Sequence, residues 1–418
     1  MSVVLPKSTL YQILFALAIG VLYVQSYELT FSVWVLITLV TLKTKYSKDI
    51  FQYLLCFIAI FSIATVVLFF HNDYKAYFVI RDITYVIKPI LGLLIGYQLC
   101  EHNFKKAFQT IIFVGVLISI YHLCVLGTAV VFYHVTKVNG LREWGGYFSD
   151  YEVYVLILLL FHKKFELGFS KNKLMIFTVI VGFSSFMYLS RTNFIQFVIL
   201  FLAMKGYFKI NKTSITVVSS IIAFTLIGYS TILYINPKRN GPGLEALLYK
   251  IKIAPTEPFK TKIDADDWKD FNDNYRSYEN IHTVKQVTRK GTPTMLFGEG
   301  FGSRIDLKRE VWLGDMFLRY ISILHNGFMT VFLKSGLLGI AIYLYSIYLL
   351  FVRKKSKIPQ VSNLNLLLLG TGIFLIFSNW VFLGVYNLLD NKSILIGFFI
   401  CYQEVANKKN KSENLVHE

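Results

Sequence analysis

Apolar runs follow one another along most of the chain, separated by short charged or polar breaks. They fall at about 8–27, 29–43, 50–70, 77–99, 107–133, 147–162, 173–190, 192–208, 214–235, 327–352, 364–386 and 392–406. A helix needs roughly 20 apolar residues to cross about 30 Å of hydrocarbon. The pattern therefore predicts an all-α polytopic membrane protein with about 12 transmembrane helices, the second, sixth and last of them short. The first run has a single Lys7 before it and no small-residue cleavage site, which reads as a retained helix and not a signal peptide. One stretch breaks the rhythm. Residues 236–326 carry 15 Lys/Arg and 12 Asp/Glu, with turn formers at Pro237, Gly241, Pro242 and Gly243. Its middle, 264–290, has the composition of a helix. A loop of this length is uncommon unless it is functional. The organisation is thus helices over 1–235, a large loop over 236–326, helices over 327–406 and a tail over 407–418.

Composition sharpens this picture. Of 418 residues, 55% are hydrophobic and only 16% are charged, against about 25% charged in an ordinary globular protein. Such a chain is neither a soluble enzyme, nor disordered, nor a fibrous repeat. The net charge of +18 would suggest nucleic acid in a soluble protein. Here it is a matter of topology. With the N-terminus in the cytoplasm, the cytoplasmic pieces hold twenty Lys/Arg and the short outer loops hold five: Lys75, Lys137, Arg142, Arg191 and Lys392. That asymmetry is the positive-inside signal. It places 236–326 outside and removes nucleic acid from the partners. Cys56, Cys100, Cys124 and Cys401 show no paired spacing, so neither a disulfide framework nor a cysteine metal site is expected.

Several residues could carry chemistry. His325 stands beside Asn326 where the long loop re-enters the membrane; histidine suits proton transfer near neutral pH, and equally suits the start of a helix. Arg142, Arg191 and Arg276 all fall outside, near aromatic residues. The arginine fork grips phosphate oxygens in a bidentate way, although any one of them also fits an ordinary surface position. Arg81, Asp82 and Lys88 lie within the fourth span, where charges are costly and usually functional or paired; an internal Lys88–Asp82 ion pair is one expectation. Gly298, Gly300 and Gly302 form a glycine-rich turn without the lysine of a phosphate-binding loop. Asp264-Ala265-Asp266-Asp267 contains an Asp-x-Asp, read as a solvated acidic patch.

These motifs together resemble the bacterial O-antigen polymerase and O-antigen ligase superfamily. His325 to Gly336 matches an H-x10-G pattern, and Leu189-Ser190-Arg191-Thr192 resembles the family's S-R-T turn. In the R-x3-L form of the ligases the last position is here Ile195. Arg142 with its glycines resembles the R-x-G-x-F loop. Arg276 followed by Leu296-Phe297-Gly298-Glu299-Gly300-Phe301-Gly302 resembles the R-x3-W…L-F-G-x-G-x-G stretch, with Tyr278-Glu279-Asn280 where the family has tryptophan. The resemblance spans about 130–350. It implies a GT-C-like membrane fold in the bacterial cytoplasmic (inner) membrane. The donor would be a glycan on undecaprenyl diphosphate, used without metal or other cofactor. His325 would be catalytic, Arg191, Arg276 and Arg142 would bind diphosphate, and Lys88, Gly298, Gly300, Gly302 and Asn326 would be accessory. A polymerase of surface-polysaccharide repeat units is the leading reading, with membrane lipid, a chain-length regulator and a flippase as partners. A ligase moving finished glycan to lipid A core is the alternative. A glycan transporter would instead show inverted repeats and helices broken at mid-membrane.

Overall fold

The computed structural model describes residues 6–416 apart from 71–72, 210, 240, 242–243, 258, 265, 314–315 and 388. Pro242, Gly243 and Ala265, singled out above, lie outside the described residues. The chain is predominantly helical. Among the described residues six helices are long and apolar enough to cross a membrane: Lys7–Val24, Lys48–Leu68, Ala107–Tyr133, Lys212–Ile235, Gly327–Leu349 and Pro359–Val381. The Lys212–Ile235 helix buries no residue of its most apolar stretch, which requires an apolar surrounding. This is a membrane-embedded protein. The other apolar runs form the helices Tyr27–Val40, Ala76–His102, Asp150–Leu160, Lys171–Met187, Arg191–Lys205 and Lys392–Val416. Each of these is short or interrupted by charge.

Local signals set the helix starts. Ser26, Ser47, Ser149, Asn211 and Asn326 each accept a backbone N–H of the first turn, which satisfies a donor the helix itself leaves open. The Ala76–His102 helix runs unbroken through Pro89. It packs against Lys392–Val416 almost backbone to backbone. A Cβ at Gly96 would stand 1.9 Å from the Ile394 carbonyl oxygen, and one at Gly397 would stand 2.2 Å from that of Leu93. Small residues at such crossings are how helices approach closely in lipid.

Residues 236–326 fold into helices Glu245–Ile253, Trp268–Asp273, Tyr275–Arg289 and Thr292–Phe297, followed by strands Ile305–Leu313 and Met316–Ile321. The expected 264–290 helix is therefore two, divided at Asn274. The strands pair antiparallel, with Ile305 opposite Ile321 and Trp312 opposite Phe317, and a register irregularity between Asp306 and Val311. This hairpin is a departure from the all-helical expectation: Arg, Lys and Glu interrupt its alternation, so the sequence shows no strand. The region has its own apolar core of Phe271, Tyr278, Val287, Ile305, Leu307 and Val311, closed by Phe332 and Leu333 of the following helix.

Gly336 breaks the Gly327–Leu349 helix, with φ 65° and ψ −162°. The break frees the carbonyls of Leu333 and Lys334. The N–H groups of Glu299 and Gly300 donate to them at 2.7 and 3.2 Å. Below that seam Lys334 Nζ reaches Asp82 Oδ2 at 2.6 Å and the Ser303 carbonyl at 2.6 Å, and Gly302 N donates to Asp82 at 2.8 Å. Asp82 therefore pairs with Lys334 and not with Lys88. Lys88 donates to the Asn387 carbonyl and lies 5.3 Å over the Trp34 ring. The glycine-rich turn is thus held by a broken helix and a buried ion pair.

Candidate functional site

His325 occupies the residue before the N-cap of the Gly327–Leu349 helix. The cap itself is Asn326, whose Oδ1 accepts Met329 N at 3.1 Å, so His325 is not spent on capping. Its backbone N–H donates to Glu279 Oε2 at 3.0 Å, and its Nδ1 lies 2.9 Å from Glu279 Oε1. Two contacts from one carboxylate set the ring, with Nδ1–H facing Glu279. Tyr275 packs edge-on against the imidazole at 5.6 Å. Glu279 is wholly buried, whereas the His325 side chain is 44% exposed, so the dyad opens outward on the histidine side. The neighbouring carboxylate raises the His325 pKa above its ordinary value, against the opposing pull of burial.

Arg276 lies three residues before Glu279 on the Tyr275–Arg289 helix, and so on the same face. Its Nη1 bonds Glu257 Oε1 at 2.7 Å, and its guanidinium lies 5.2 Å over the Phe382 ring. Arg191 opens the Arg191–Lys205 helix, after Leu189 turns the chain with φ 46°, and donates to the Lys250 carbonyl. Arg142, on the short Val138–Gly145 helix, packs 5.3 Å over Tyr147. Arg191 feels Glu257, Arg276 and Arg142. Lys250 feels Arg142, Arg191, Arg239 and Glu257. Burial, and then these cations, hold the Lys250 ammonium below its usual range, and burial does the same to Arg142. Glu257 also acts on His325. The structure therefore brings together Arg142, Arg191 and Arg276 from three separate segments, with Lys250 among them and Glu257 shared. The Nε atoms of Arg142 and Arg276 are buried without a partner.

The segment from Tyr249 to Glu257 forms one wall of this cluster. The same segment lines a cleft of about 710 Å³ together with Phe259, Lys260, Lys269, Asp273 and Asn274. It is large enough for part of a glycan.

The remaining sequence candidates stand apart. Lys88 sits among Asp390, Lys392 and Asp150. Gly298, Gly300 and Gly302 seat the seam described above; a Cβ at Gly298 would meet the Lys334 and Ser335 backbone at 2.6 Å. Asp264 accepts the N–H groups of Asp266 and Asp267, a local turn. Sequence reasoning passed over Glu279, Glu257 and Lys250. Only Glu279 left a signal, being spaced one helical turn from Arg276. It also missed the buried pair of Lys392 with Asp150 and Asp390.

No known protein family, curated protein or solved structure matches this chain.

Proposed function

We propose that the protein is a polymerase of surface-polysaccharide repeat units, a glycosyltransferase whose donor is a glycan on undecaprenyl diphosphate. The observation that carries this is the arginine cluster. Arg191, Arg276 and Lys250 share a single carboxylate, Glu257, with Arg142 beside them, and Arg142 and Arg276 keep buried Nε–H groups unpaired. Gathering like charges is unfavourable unless an anion of higher charge completes the site. A lipid diphosphate at the edge of a membrane is such an anion.

In the proposed reaction an acceptor hydroxyl oxygen attacks the anomeric carbon of the donor sugar. The bond from that carbon to the diphosphate oxygen breaks with inversion. The hydroxyl proton goes to His325 Nε2, and undecaprenyl diphosphate leaves with the bonding pair. Arg142, Arg191 and Arg276 neutralise the charge that grows on the leaving oxygen. Glu279 orients His325 and supports the imidazolium that forms. The cleft beside Tyr249 gives the glycan room. On this reading the chain crosses the bacterial cytoplasmic membrane about twelve times in a GT-C-like arrangement, and the site faces the extracytoplasmic side.

One observation favours a second reading. The Gly336 break and the buried charges Lys88, Asp150, Asp390 and Lys392 are features that a transporter of lipid-linked glycan also uses. The freed carbonyls at the break are, however, taken by Glu299 and Gly300. They hold a loop and do not line a path. The deciding assay incubates purified protein with synthetic lipid-linked repeat units. Polymer formation that is lost in His325→Ala, with donor binding retained, is expected. Translocation of intact donor without new glycosidic bonds would make the transporter reading the correct one.

A further inference from the structure

A second polar cluster lies inside the helices and takes no part in that chemistry. Glu152, the third residue of the Asp150–Leu160 helix, is wholly buried at 0%. Its Oε1 is 2.8 Å from the Ser119 hydroxyl and 2.8 Å from the Ser184 hydroxyl. The same Ser184 oxygen is 2.8 Å from His122 Nδ1. Carboxyl, hydroxyl and imidazole thus form a continuous chain carried by three helices, Asp150–Leu160, Lys171–Met187 and Ala107–Tyr133. The other groups facing it come from every neighbouring segment. Tyr188 stacks on His122 with ring centroids 3.8 Å apart. Tyr23 bonds the Ser149 hydroxyl at 2.9 Å. From the Arg191–Lys205 helix, Asn193 and Gln196 spend their side-chain amides on Ser149, Ser185 and Asp150. Asp150, on Glu152's own helix, is taken by Lys392. Among the described residues no ion pair involves Glu152; the Tyr188 and Ser149 hydroxyls also face its carboxyl, but neither closes a full-length hydrogen bond to Oε2, and His122 Nε2 likewise lacks a partner.

The proton count follows from these contacts. Ser184 has one hydrogen for two partners. If Glu152 carries a proton on Oε1, that O–H donates to Ser184 Oγ, and the Ser184 O–H donates to His122 Nδ1. What remains unpaired is then an uncharged carbonyl oxygen and an N–H. If Glu152 is ionised the chain reverses, and the unpaired oxygen carries charge, which a low-dielectric interior strongly disfavours. The two states interconvert with atoms conserved. The Glu152 O–H bond breaks and its proton joins Ser184 Oγ, while the Ser184 proton passes to His122 Nδ1, giving an imidazolium. Emptying the site is completed when that imidazolium gives its Nε2 proton to water, leaving a Glu152 carboxylate and a neutral Nδ1–H imidazole.

We propose that Glu152, Ser184 and His122 form a proton-binding site within the helix layer, holding one proton on Glu152 at neutral pH and transmitting its occupancy to the segments that carry Arg142 and Arg191. The transmission is steric and electrostatic. Gly145 ends the helix of Arg142, and a Cβ there would stand 2.7 Å from His122 Nε2. Tyr188, stacked on His122, precedes Arg191 by three residues through the left-handed Leu189. A change of charge on Glu152 or His122 therefore acts on both segments at once.

The test needs no transferase activity, so its failure is separate from failure of the polymerase reading. Infrared spectra are recorded over roughly pH 5 to 10 on protein in phosphatidylethanolamine–phosphatidylglycerol vesicles, alongside hydrogen exchange of residues 138–146 and 187–193. The expected result is a protonated-carboxyl C=O band at neutral pH that is absent from Glu152→Gln and shifted in frequency by Ser184→Ala. Exchange in the two segments should step at the pH where that band titrates, and the step should be lost in Glu152→Gln. If Glu152→Gln does not fold, the Ser184→Ala shift, read on the natural carboxyl, decides. A spectrum without the Glu152 band overturns the proposal. So does a band that never titrates, or one that titrates with no step in exchange.

Discussion

Glu279 changes what His325 can do at a given pH. An isolated imidazole is half neutral near pH 6.5, but this carboxylate raises the value, so the base form dominates only at higher pH. The transfer rate is expected to rise with pH through a midpoint above the ordinary value. Replacing Glu279 with Gln removes the largest cause and leaves burial and Arg276, opposed only by the weaker pull of Glu257, so the midpoint should fall. It should also cost on the order of 10²–10³-fold in rate, because the ring loses its orienting partner. A pH–rate profile of Glu279→Gln that superimposes on the natural one would show that the dyad has no part in the chemistry. The arginines make a different kind of prediction. Arg191 and Arg276 each already give Nη1 to a protein oxygen, and on the proposed reading their remaining fork would grip phosphate. Arg191→Lys and Arg276→Lys should therefore lose most donor binding, measured with labelled lipid-linked donor, while Arg142→Lys loses less. Full retention would make them structural charges. At this scale the residue types and their order were legible in the sequence. Their partners were not, because Arg191 meets Lys250 and Arg276 meets Glu257 only through tertiary contacts. The same limit explains the Lys88–Asp82 expectation. The two residues share one helix but, six positions apart, fall on different faces of it, and Lys334 comes from 252 positions away and takes Asp82.

The helix that starts at Gly327 couples the site to the bundle. Its first turn carries the Asn326 cap and holds His325 in place. Nine residues on, Gly336 opens it so that the 298–303 turn can dock. A Cβ at Gly336 would meet the Leu296 backbone at 2.3 Å, on a residue that already has positive φ. Gly336→Ala should therefore displace the turn and, with it, the hairpin and the Glu279 helix that pack around it. The expected readout is protease cleavage between residues 290 and 304 in a protein whose transmembrane helices stay intact; unchanged resistance would separate the break from the loop's docking. Lys334→Met tests the other half of the seam. It leaves Asp82 as an uncompensated buried charge, a change that typically costs about 3–5 kcal/mol. Lys334→Met with Asp82→Leu should recover much of that loss in thermal unfolding in detergent, and equal stability of single and double variants would deny the pairing. The Gly327 helix was readable from its apolar run and the 264–290 stretch from its composition, save its division at Asn274, whereas Glu245–Ile253 and Thr292–Phe297 were not read. The hairpin was not, since its pairing is set by burial of Ile305, Leu307 and Ile321 against the loop's own core and not by alternation along the strands.

At the scale of the whole molecule, the decisive question is which side of the membrane holds residues 236–326, and it turns on whether the short helices cross. Counting only the six long apolar helices, with the N-terminus inside, four crossings precede the loop, and it lies on the cytoplasmic side. The same count puts Arg353, Lys354, Lys355 and Lys357 outside, against the charge rule. Counting about twelve crossings, nine precede the loop, so it lies outside and those four cations lie inside. The extra crossings would include the Ala76–His102 helix, 27 residues long, whose Asp82 is paired with Lys334 and whose Lys88 donates to the Asn387 carbonyl. They would also include Lys392–Val416, whose Lys392 is paired with Asp150 and Asp390. A helix whose charges are neutralised by its neighbours can span although its composition alone argues against it. Alkaline phosphatase fused after Lys260 should therefore be active and fused after Ser356 inactive. A six-crossing chain gives the reverse at both positions, so one pair of fusions separates the arrangements. A loop found inside would place the arginine cluster away from an extracytoplasmic lipid-linked donor and would end the polymerase reading with it.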